Sequence, residues 1–124
     1  MRLGVTRLAR RLRQEGGSGL SPTLQAALGT IANHGPLTPS ELAERERIQR
    51  PNATKVITRL EGERLVTRTE APADRRSTLI AISDEGQRLL SETRTKKDAY
   101  LAERLEQLSQ REQQTLADLL ERLL

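Results

Sequence analysis

Polar and basic side chains that can bind nucleic acid recur at short spacing just after residue 49. Asn52 and Lys55 lie three residues apart, so on a helix they share one face with Arg59, one turn further on. Asparagine can pair with adenine through two hydrogen bonds, and lysine can donate to guanine. Taken alone, this spacing fits either a helix face that is only solvated or a surface that binds double-stranded DNA, and a neighbouring capped helix and basic hairpin would favour DNA. We expect Asn52 and Lys55 to contact base edges. Phosphate contacts are expected from Arg50, Thr54 and Arg59.

A second polar cluster, Asp74, Arg75 and Arg76, lies between two strand-like segments, at the tip of a predicted hairpin. A narrow A·T-rich minor groove attracts an inserted guanidinium through its negative potential. We expect Arg76 to insert, Asp74 to hold its guanidinium through a bidentate contact, and Arg75 to lie on phosphate. The alternative is an exposed Asp–Arg pair with no part in binding.

Composition argues against most catalytic chemistry. The chain has no cysteine and one histidine among 124 residues, which excludes a thiolate nucleophile, a cysteine-based zinc site and a multi-histidine site. Neither a phosphate-binding glycine loop nor a serine elbow occurs. His34, just before Gly35, is expected at a helix C-terminus, where the dipole favours it. The sequence thus predicts a protein that is not an enzyme and carries no metal or cofactor.

Turn and cap residues divide the chain into helices. Gly16–Gly19 ends a first helix, Ser21-Pro22 opens a second helix that stops at Gly35-Pro36, and Thr38-Pro39-Ser40-Glu41 is a capping box that opens a third. Pro51 restarts a helix whose apolar stripe falls at i, i+3, i+4 and i+7, on the face opposite Asn52 and Lys55. The stripe consists of Ala53, Val56, Ile57 and Leu60.

Two short strands follow, over residues 65–70 and 78–83, with a turn-rich connection over residues 71–77. A short helix, a tight connection, a second helix and a basic hairpin are the order of a winged helix-turn-helix. The predicted fold class is therefore mainly α (α+β), with a two-stranded β-hairpin wing. In this arrangement Thr38 and Ser40 are expected to support DNA binding from the helix before the recognition helix.

Leucines dominate both chain ends. A long helix is expected from Asp84 through Leu108, and a second capping box, Ser109 to Glu112, opens a last helix. The leucines exceed what one small domain can cover, which predicts a homodimer, with a single intramolecular bundle as the alternative. The dimerisation residues are predicted to be Leu8, Leu12, Leu105, Leu108, Leu116, Leu119, Leu120 and Leu123.

Charge follows the same division of the chain. Residues 1–14 hold five arginines and no acid, residues 50–76 hold seven basic and four acidic residues, and residues 84–124 hold seven basic and nine acidic residues. We expect a dimerisation helix and linker over 1–20, a winged helix-turn-helix DNA-binding domain over 21–86, and dimerisation helices over 87–124. The arginine-rich first helix has no Trp or Phe to anchor it in a membrane surface, so no membrane partner is predicted.

Three segments together resemble the MarR family of bacterial transcriptional regulators. They are Leu37–Ala43, Pro51–Glu61 and Leu65–Arg68. The wing of that family is matched by Asp74-Arg75-Arg76 followed by Leu79, Ile80, Ile82, Ser83 and Gly86. The resemblance implies a homodimeric regulator, and most often a repressor. A cytoplasmic location is expected because residues 1–13 lack the continuous apolar core of a signal peptide. It also implies a small anionic or aromatic effector bound between the helical ends and the winged domain. Because Tyr100 is the only aromatic residue available for stacking, the alternative is a weak effector or none.

Two positions depart from the family pattern. Arg64 stands where a glycine usually precedes the Leu-Val that enters the wing, so we expect a shifted or strained helix end. Gln49 stands where a Ser or Thr cap is common. The alternative function is a helical protein-interaction module whose charged middle is only solvated, and a salt-dependent DNA shift separates the two interpretations.

Overall fold

A computed structural model describes the backbone of residues 1–71 and 74–124 and the side chains of residues 1–70 and 78–124. Within that part the chain forms six helices and one two-stranded antiparallel sheet, which confirms the predicted fold class. The elements are α1 (Arg2–Gly16), α2 (Pro22–His34), α3 (Pro39–Glu46), α4 (Arg50–Gly62), β1 (Val66–Ala71), β2 (Asp74–Ile82), α5 (Asp84–Leu105) and α6 (Gln110–Leu123).

The chain forms two compact units. The winged-helix unit comprises Gly17–Thr93, and the helical unit comprises Met1–Gly16 together with Arg94–Leu124. α5 begins in the winged-helix unit and ends in the helical unit.

Aliphatic side chains from α2, α3, α4 and the hairpin form the core of the winged-helix unit. All four predicted stripe residues of α4 are buried, and Leu60 is fully inaccessible to solvent. Burying that stripe fixes the rotation of α4 about its axis, so Asn52, Lys55 and Arg59 remain on the exposed side. The largest fully buried side chains of the unit are Leu28, Ile31, Leu37, Leu42, Ile57, Leu60 and Ile80.

The two strands form the predicted hairpin with a different boundary. Val66 pairs with Ile82 and Glu70 with Thr78, and the register then shifts so that Ala71 pairs with Asp74. β2 therefore starts at Asp74 rather than near Thr78, because an irregularity in the pairing lets the strand continue toward the tip. Leu37 adds a bridge on the other side of β2, where its amide and carbonyl bond those of Ile80 at 3.0 and 2.7 Å.

Side-chain caps set most helix starts. Ser21 accepts from the Leu24 amide at 3.3 Å, and Thr38 accepts from the Glu41 amide at 3.1 Å. The Thr38 hydroxyl donates to the Glu41 carboxylate at 3.2 Å. In a full capping box the Thr38 amide would donate to that carboxylate, so only half of the predicted box forms at α3.

α5 and α6 make up most of the helical unit. α5 ends at Leu105, before the predicted end at Leu108, because the Leu108 amide turns back to the Leu105 carbonyl at 2.9 Å. Ser109 and Glu112 form the predicted reciprocal capping box at the start of α6. No residue of α6, all of which the structure describes, is buried.

Candidate nucleic-acid interface

α3 and α4 form the helix-turn-helix. α3 ends where the Arg47 amide donates to the Glu44 carbonyl at 3.3 Å and the Ile48 amide donates to the Ala43 carbonyl at 3.0 Å. This pair of bonds is a Schellman motif, whose central residue adopts left-handed backbone angles. Arg47 does so, with φ 56° and ψ 44°. The turn thus fixes where α4 starts relative to α3.

The start of α4 presents the residues predicted to read DNA. Pro51 occupies the first turn, and the side chain of the N-cap residue Gln49 makes no capping hydrogen bond. The Asn52 amide instead donates to the Gln49 carbonyl at 2.9 Å. Since Pro51 has no amide hydrogen, this first turn offers fewer free donors to an anion than an ordinary helix N-terminus. Recognition here depends on side chains, and both Asn52 and Lys55 are exposed.

The side chains predicted to contact phosphate differ in exposure and in whether they already form a hydrogen bond within the protein. Arg50 is exposed at the helix start. The Thr54 hydroxyl donates to the Arg50 carbonyl at 3.1 Å, so it must give up that bond before it can donate to a phosphate. Thr58 repeats the pattern, donating to the Thr54 carbonyl at 2.9 Å. Ser40 is exposed, whereas the Thr38 hydroxyl caps α3.

Two ion pairs lie at the C-terminal end of α4. Arg59 Nε is 3.4 Å from Glu63 Oε1, one helical turn away. Arg68 Nε, on β1, donates to Glu61 Oε2 at 3.2 Å and so ties the wing to the helix. Lys55, Thr58, Arg59 and Glu63 share a shallow groove along α4.

The connection from α4 to the wing is also a Schellman motif. The Arg64 and Leu65 amides donate to the Glu61 and Leu60 carbonyls, each at 2.9 Å. Arg64 adopts the left-handed conformation, with φ 62°. The helix end is therefore not shifted from the place where glycine usually stands, and the backbone of Arg64 is strained instead. The Ser83 hydroxyl donates to the Arg64 carbonyl at 2.6 Å and anchors this turn to the start of α5.

Asp74, Arg75 and Arg76 have side chains outside the described residues. Their backbone belongs to β2, within the hairpin that the sequence predicts.

The leucines predicted to form a dimer interface lie in the helical unit. Leu8 and Leu116–Leu123 are exposed, with Leu119 and Leu120 48% and 46% accessible, while Leu12, Leu105 and Leu108 are half-buried. Tyr100 is half-buried in the same unit. The guanidinium carbons of Arg104 and Arg11 lie 5.2 and 5.9 Å from its ring centroid.

No cluster of metal-ligating side chains occurs among the described residues. Nor does this part of the chain contain a helix that is both long and apolar enough to cross a bilayer.

Sequence reasoning missed the carboxylates of this surface. The four-residue spacing of Arg59 and Glu63 is visible in the sequence and could have indicated their pair. Glu61 and Arg68 are seven residues apart on different elements, so their contact had no local signal.

Comparison with known proteins places this architecture in a family. A family model described as MarR family matches residues 20–78. An uncharacterized HTH-type transcriptional regulator of Mycobacterium bovis, Mb0904, is 39% identical over 92% of this chain and 80% of its own length. The HTH-type transcriptional repressor MdtR of Bacillus subtilis is 32% identical over 76% of this chain and 61% of its own length.

Solved structures have the same fold. The YusO protein of Bacillus subtilis superposes with a TM-score of 0.82 at 28% identity, covering 98% of this chain and 90% of the other. A variant of Staphylococcus aureus MepR bound to an oligodeoxyribonucleotide gives 0.78 at 19% identity, covering 98% and 91%, which shows the fold alone. The helix-turn-helix, the wing and the sequence similarity together establish that this chain belongs to the MarR family of HTH-type, DNA-binding transcriptional regulators.

Proposed function

We propose that the protein is a homodimeric repressor that binds pseudo-palindromic double-stranded DNA. The observation that carries this is the exposed face of α4, which holds Asn52 and Lys55 outward while the opposite face is buried in the core. The relative MdtR, an HTH-type transcriptional repressor, supports repression, and the MepR variant solved with DNA has the same fold. The family also favours DNA binding over a purely protein-interacting helical module.

Within this proposal, α4 lies in the major groove. Asn52 and Lys55 contact base edges, because their side chains end in donors and acceptors that match the groove. Thr38 and Ser40 support binding from the start of α3. The residues that bind phosphate are Arg50, Thr54 and Arg59, with Pro51 setting the helix start.

The wing is proposed to enter the minor groove. Arg76 inserts, Asp74 orients it and Arg75 binds phosphate, as expected from the sequence. Support comes from the ion pair of Glu61 and Arg68, which ties β1 of the hairpin to the recognition helix. Arg76→Ala should weaken binding most on sites with A·T-rich flanks, and Arg76→Lys should restore only part of the loss.

Dimerisation is proposed to use the exposed leucines of the helical unit. The amphipathic helix α6, which has no buried residue, needs a partner surface for its leucines. Sedimentation equilibrium at micromolar concentration should show a species of twice the chain mass of 13.9 kDa. A monomer alone would contradict the proposal.

Regulation by a small anionic or aromatic effector is proposed as well. Tyr100, with two guanidinium groups near its ring, offers one place where an aromatic acid would find complementary charge. Salicylate-like acids should release bound DNA at millimolar concentration, and unchanged binding would count against an effector of this class. We place the protein in the cytoplasm and assign it no enzymatic activity.

The main test is to select bound sequences from a random duplex pool and then measure binding by fluorescence anisotropy. Asn52→Ala and Lys55→Ala should each cost about 1 to 3 kcal/mol on the selected site and relax the base preference there. Arg59→Ala should weaken binding to all sequences similarly and reduce the salt slope by about one for each recognition helix. Equal losses on selected and random DNA for all three variants would refute the assignment.

A further inference from the structure

Two carboxylates lie at the C-terminal end of α4, and each engages one arginine. Glu63, the C-cap residue of α4, pairs with Arg59 of the proposed DNA-binding surface, and Glu61 pairs with Arg68 on β1. The two acids are two residues apart and carry the same charge, but their ion pairs connect different parts of the structure. The Glu61 pair joins two elements, whereas the Glu63 pair joins the C-cap residue to a side chain one turn earlier on the same helix.

The Glu63 pair adds little to the stability of the fold. The Arg59 and Glu63 side chains are 70% and 43% exposed, so solvent screens their attraction. The acid lies C-terminal to the base, which is the weaker order for an i, i+4 pair. A carboxylate at this end of a helix also faces the negative end of the helix dipole. Stability is therefore a poor explanation for an acid at residue 63.

Glu63 lies instead where it affects binding. It lines the same groove along α4 as Lys55 and Arg59. A phosphate that approaches Arg59 must replace the carboxylate at the guanidinium, and the displaced carboxylate then remains near the phosphate and repels it. Glu61 lacks this effect on Arg59 because its own partner is Arg68.

We propose that Glu63 competes with DNA phosphate for Arg59 and so limits the affinity of the recognition surface for any DNA. This inference rests on the proposed binding of DNA by α4. The competition acts on a phosphate contact, which carries no sequence information. It therefore lowers binding to random DNA, which depends almost wholly on phosphates, without removing the base contacts of Asn52 and Lys55.

The test compares three variants that each remove one negative charge. Glu63→Gln removes the competitor, Glu61→Gln removes the tie to the wing, and Glu103→Gln removes an exposed charge from α5 in the helical unit. Affinity is measured by fluorescence anisotropy on the selected duplex and on a random duplex over a range of salt concentrations. Circular dichroism verifies that each variant folds.

Glu63→Gln should tighten binding to both duplexes by about twofold for each recognition helix at low salt, the scale expected for one exposed i, i+4 pair. It should also steepen the dependence of log K on log salt, because one more phosphate contact forms fully. Glu61→Gln should weaken binding or leave it unchanged, and Glu103→Gln should leave it unchanged. If Glu61→Gln tightens binding as much as Glu63→Gln, only net charge matters and the inference is overturned.

A double-mutant cycle isolates the competition. In an Arg59→Ala background Glu63→Gln should tighten binding less than it does in the native protein, since the group for which the acid competes is gone and only the repulsion of the phosphate is relieved. Tightening that is as large without Arg59 as with it would overturn the inference. So would a loss of affinity for the selected duplex alone, which would mean that Glu63 accepts a hydrogen bond from a cytosine.

The proposed function has a separate point of failure. If the native protein binds no duplex, DNA binding by α4 itself is contradicted. If the native protein binds DNA and Glu63→Gln leaves its affinity and salt slope unchanged, only the competition is refuted.

Discussion

Replacing Arg64 by glycine should stabilise the protein. Arg64 is the central residue of the Schellman motif that ends α4, with φ 62°. A side chain with a Cβ is disfavoured in this conformation, whereas glycine adopts it without strain. The backbone bonds of the turn, from the Arg64 amide to the Glu61 carbonyl and from the Ser83 hydroxyl to the Arg64 carbonyl, do not need the arginine side chain.

The magnitude follows from two opposing terms. Left-handed backbone costs a residue with a Cβ about 1 to 2 kcal/mol. Glycine loses about 0.4 to 1 kcal/mol more conformational entropy on folding. The Arg64 side chain is exposed and forms no ion pair with any described residue, so its removal adds little. Arg64→Gly should therefore stabilise the fold by about 0.5 to 1 kcal/mol, or raise Tm by about 3 °C.

Urea unfolding followed by circular dichroism at 222 nm measures this change, at one fixed protein concentration because association would shift the midpoint. Arg64→Ala is the matched control: it removes the guanidinium but keeps the Cβ, and we expect its midpoint close to that of the native protein. If the alanine and glycine variants have the same stability, or if Arg64→Gly is destabilised, left-handed strain is not what Arg64 contributes.

Three further changes test other parts of the structure. Gln49→Ser should stabilise by about 0.5 kcal/mol in the same urea assay, because a serine at this N-cap offers the Asn52 amide a second acceptor beside the carbonyl of residue 49 that it already bonds, and an unchanged midpoint would show that the cap bond does not form. Gly86→Ala should destabilise by about 1 to 3 kcal/mol, since an added Cβ would lie 2.3 Å from the Leu65 carbonyl oxygen; native-like stability would mean that this contact relaxes freely. Leu119→Glu should shift sedimentation toward the monomer, because the residue is exposed on α6, and a persistent dimer would remove Leu119 from the proposed interface.

The local elements of this protein could be predicted from the sequence because their signals are local. Pro51 and the four-residue apolar stripe of α4 identified which face is buried, and Asn52 and Lys55 are on the exposed side as the spacing predicted. The cap at Ser21 and the capping box at Ser109 each satisfy an amide three residues away, so the bond is readable from neighbouring residues. The DNA contacts assigned to Asn52 and Lys55 remain predictions.

The end of α4 shows what local signals leave open. The sequence indicated that Arg64 would shift or strain the helix end, and both alternatives were consistent with the same residues. Packing selects the strained one: Leu65 is buried and Ser83 binds the Arg64 carbonyl. Together these contacts hold the turn in place, so the backbone of Arg64 takes the left-handed conformation.

Contacts between distant elements were decided by the tertiary structure alone. Leu37 bridges Ile80 across more than forty residues, and Glu61 reaches Arg68 around the turn. Helical periodicity and capping depend on residues within about four positions of each other, and therefore they appear in the sequence. A bridge or an ion pair between separate elements depends on how their buried faces pack. That packing brought Glu61 to Arg68 and so tied the wing to the helix, whereas the pair of Arg59 and Glu63 depends only on their four-residue spacing.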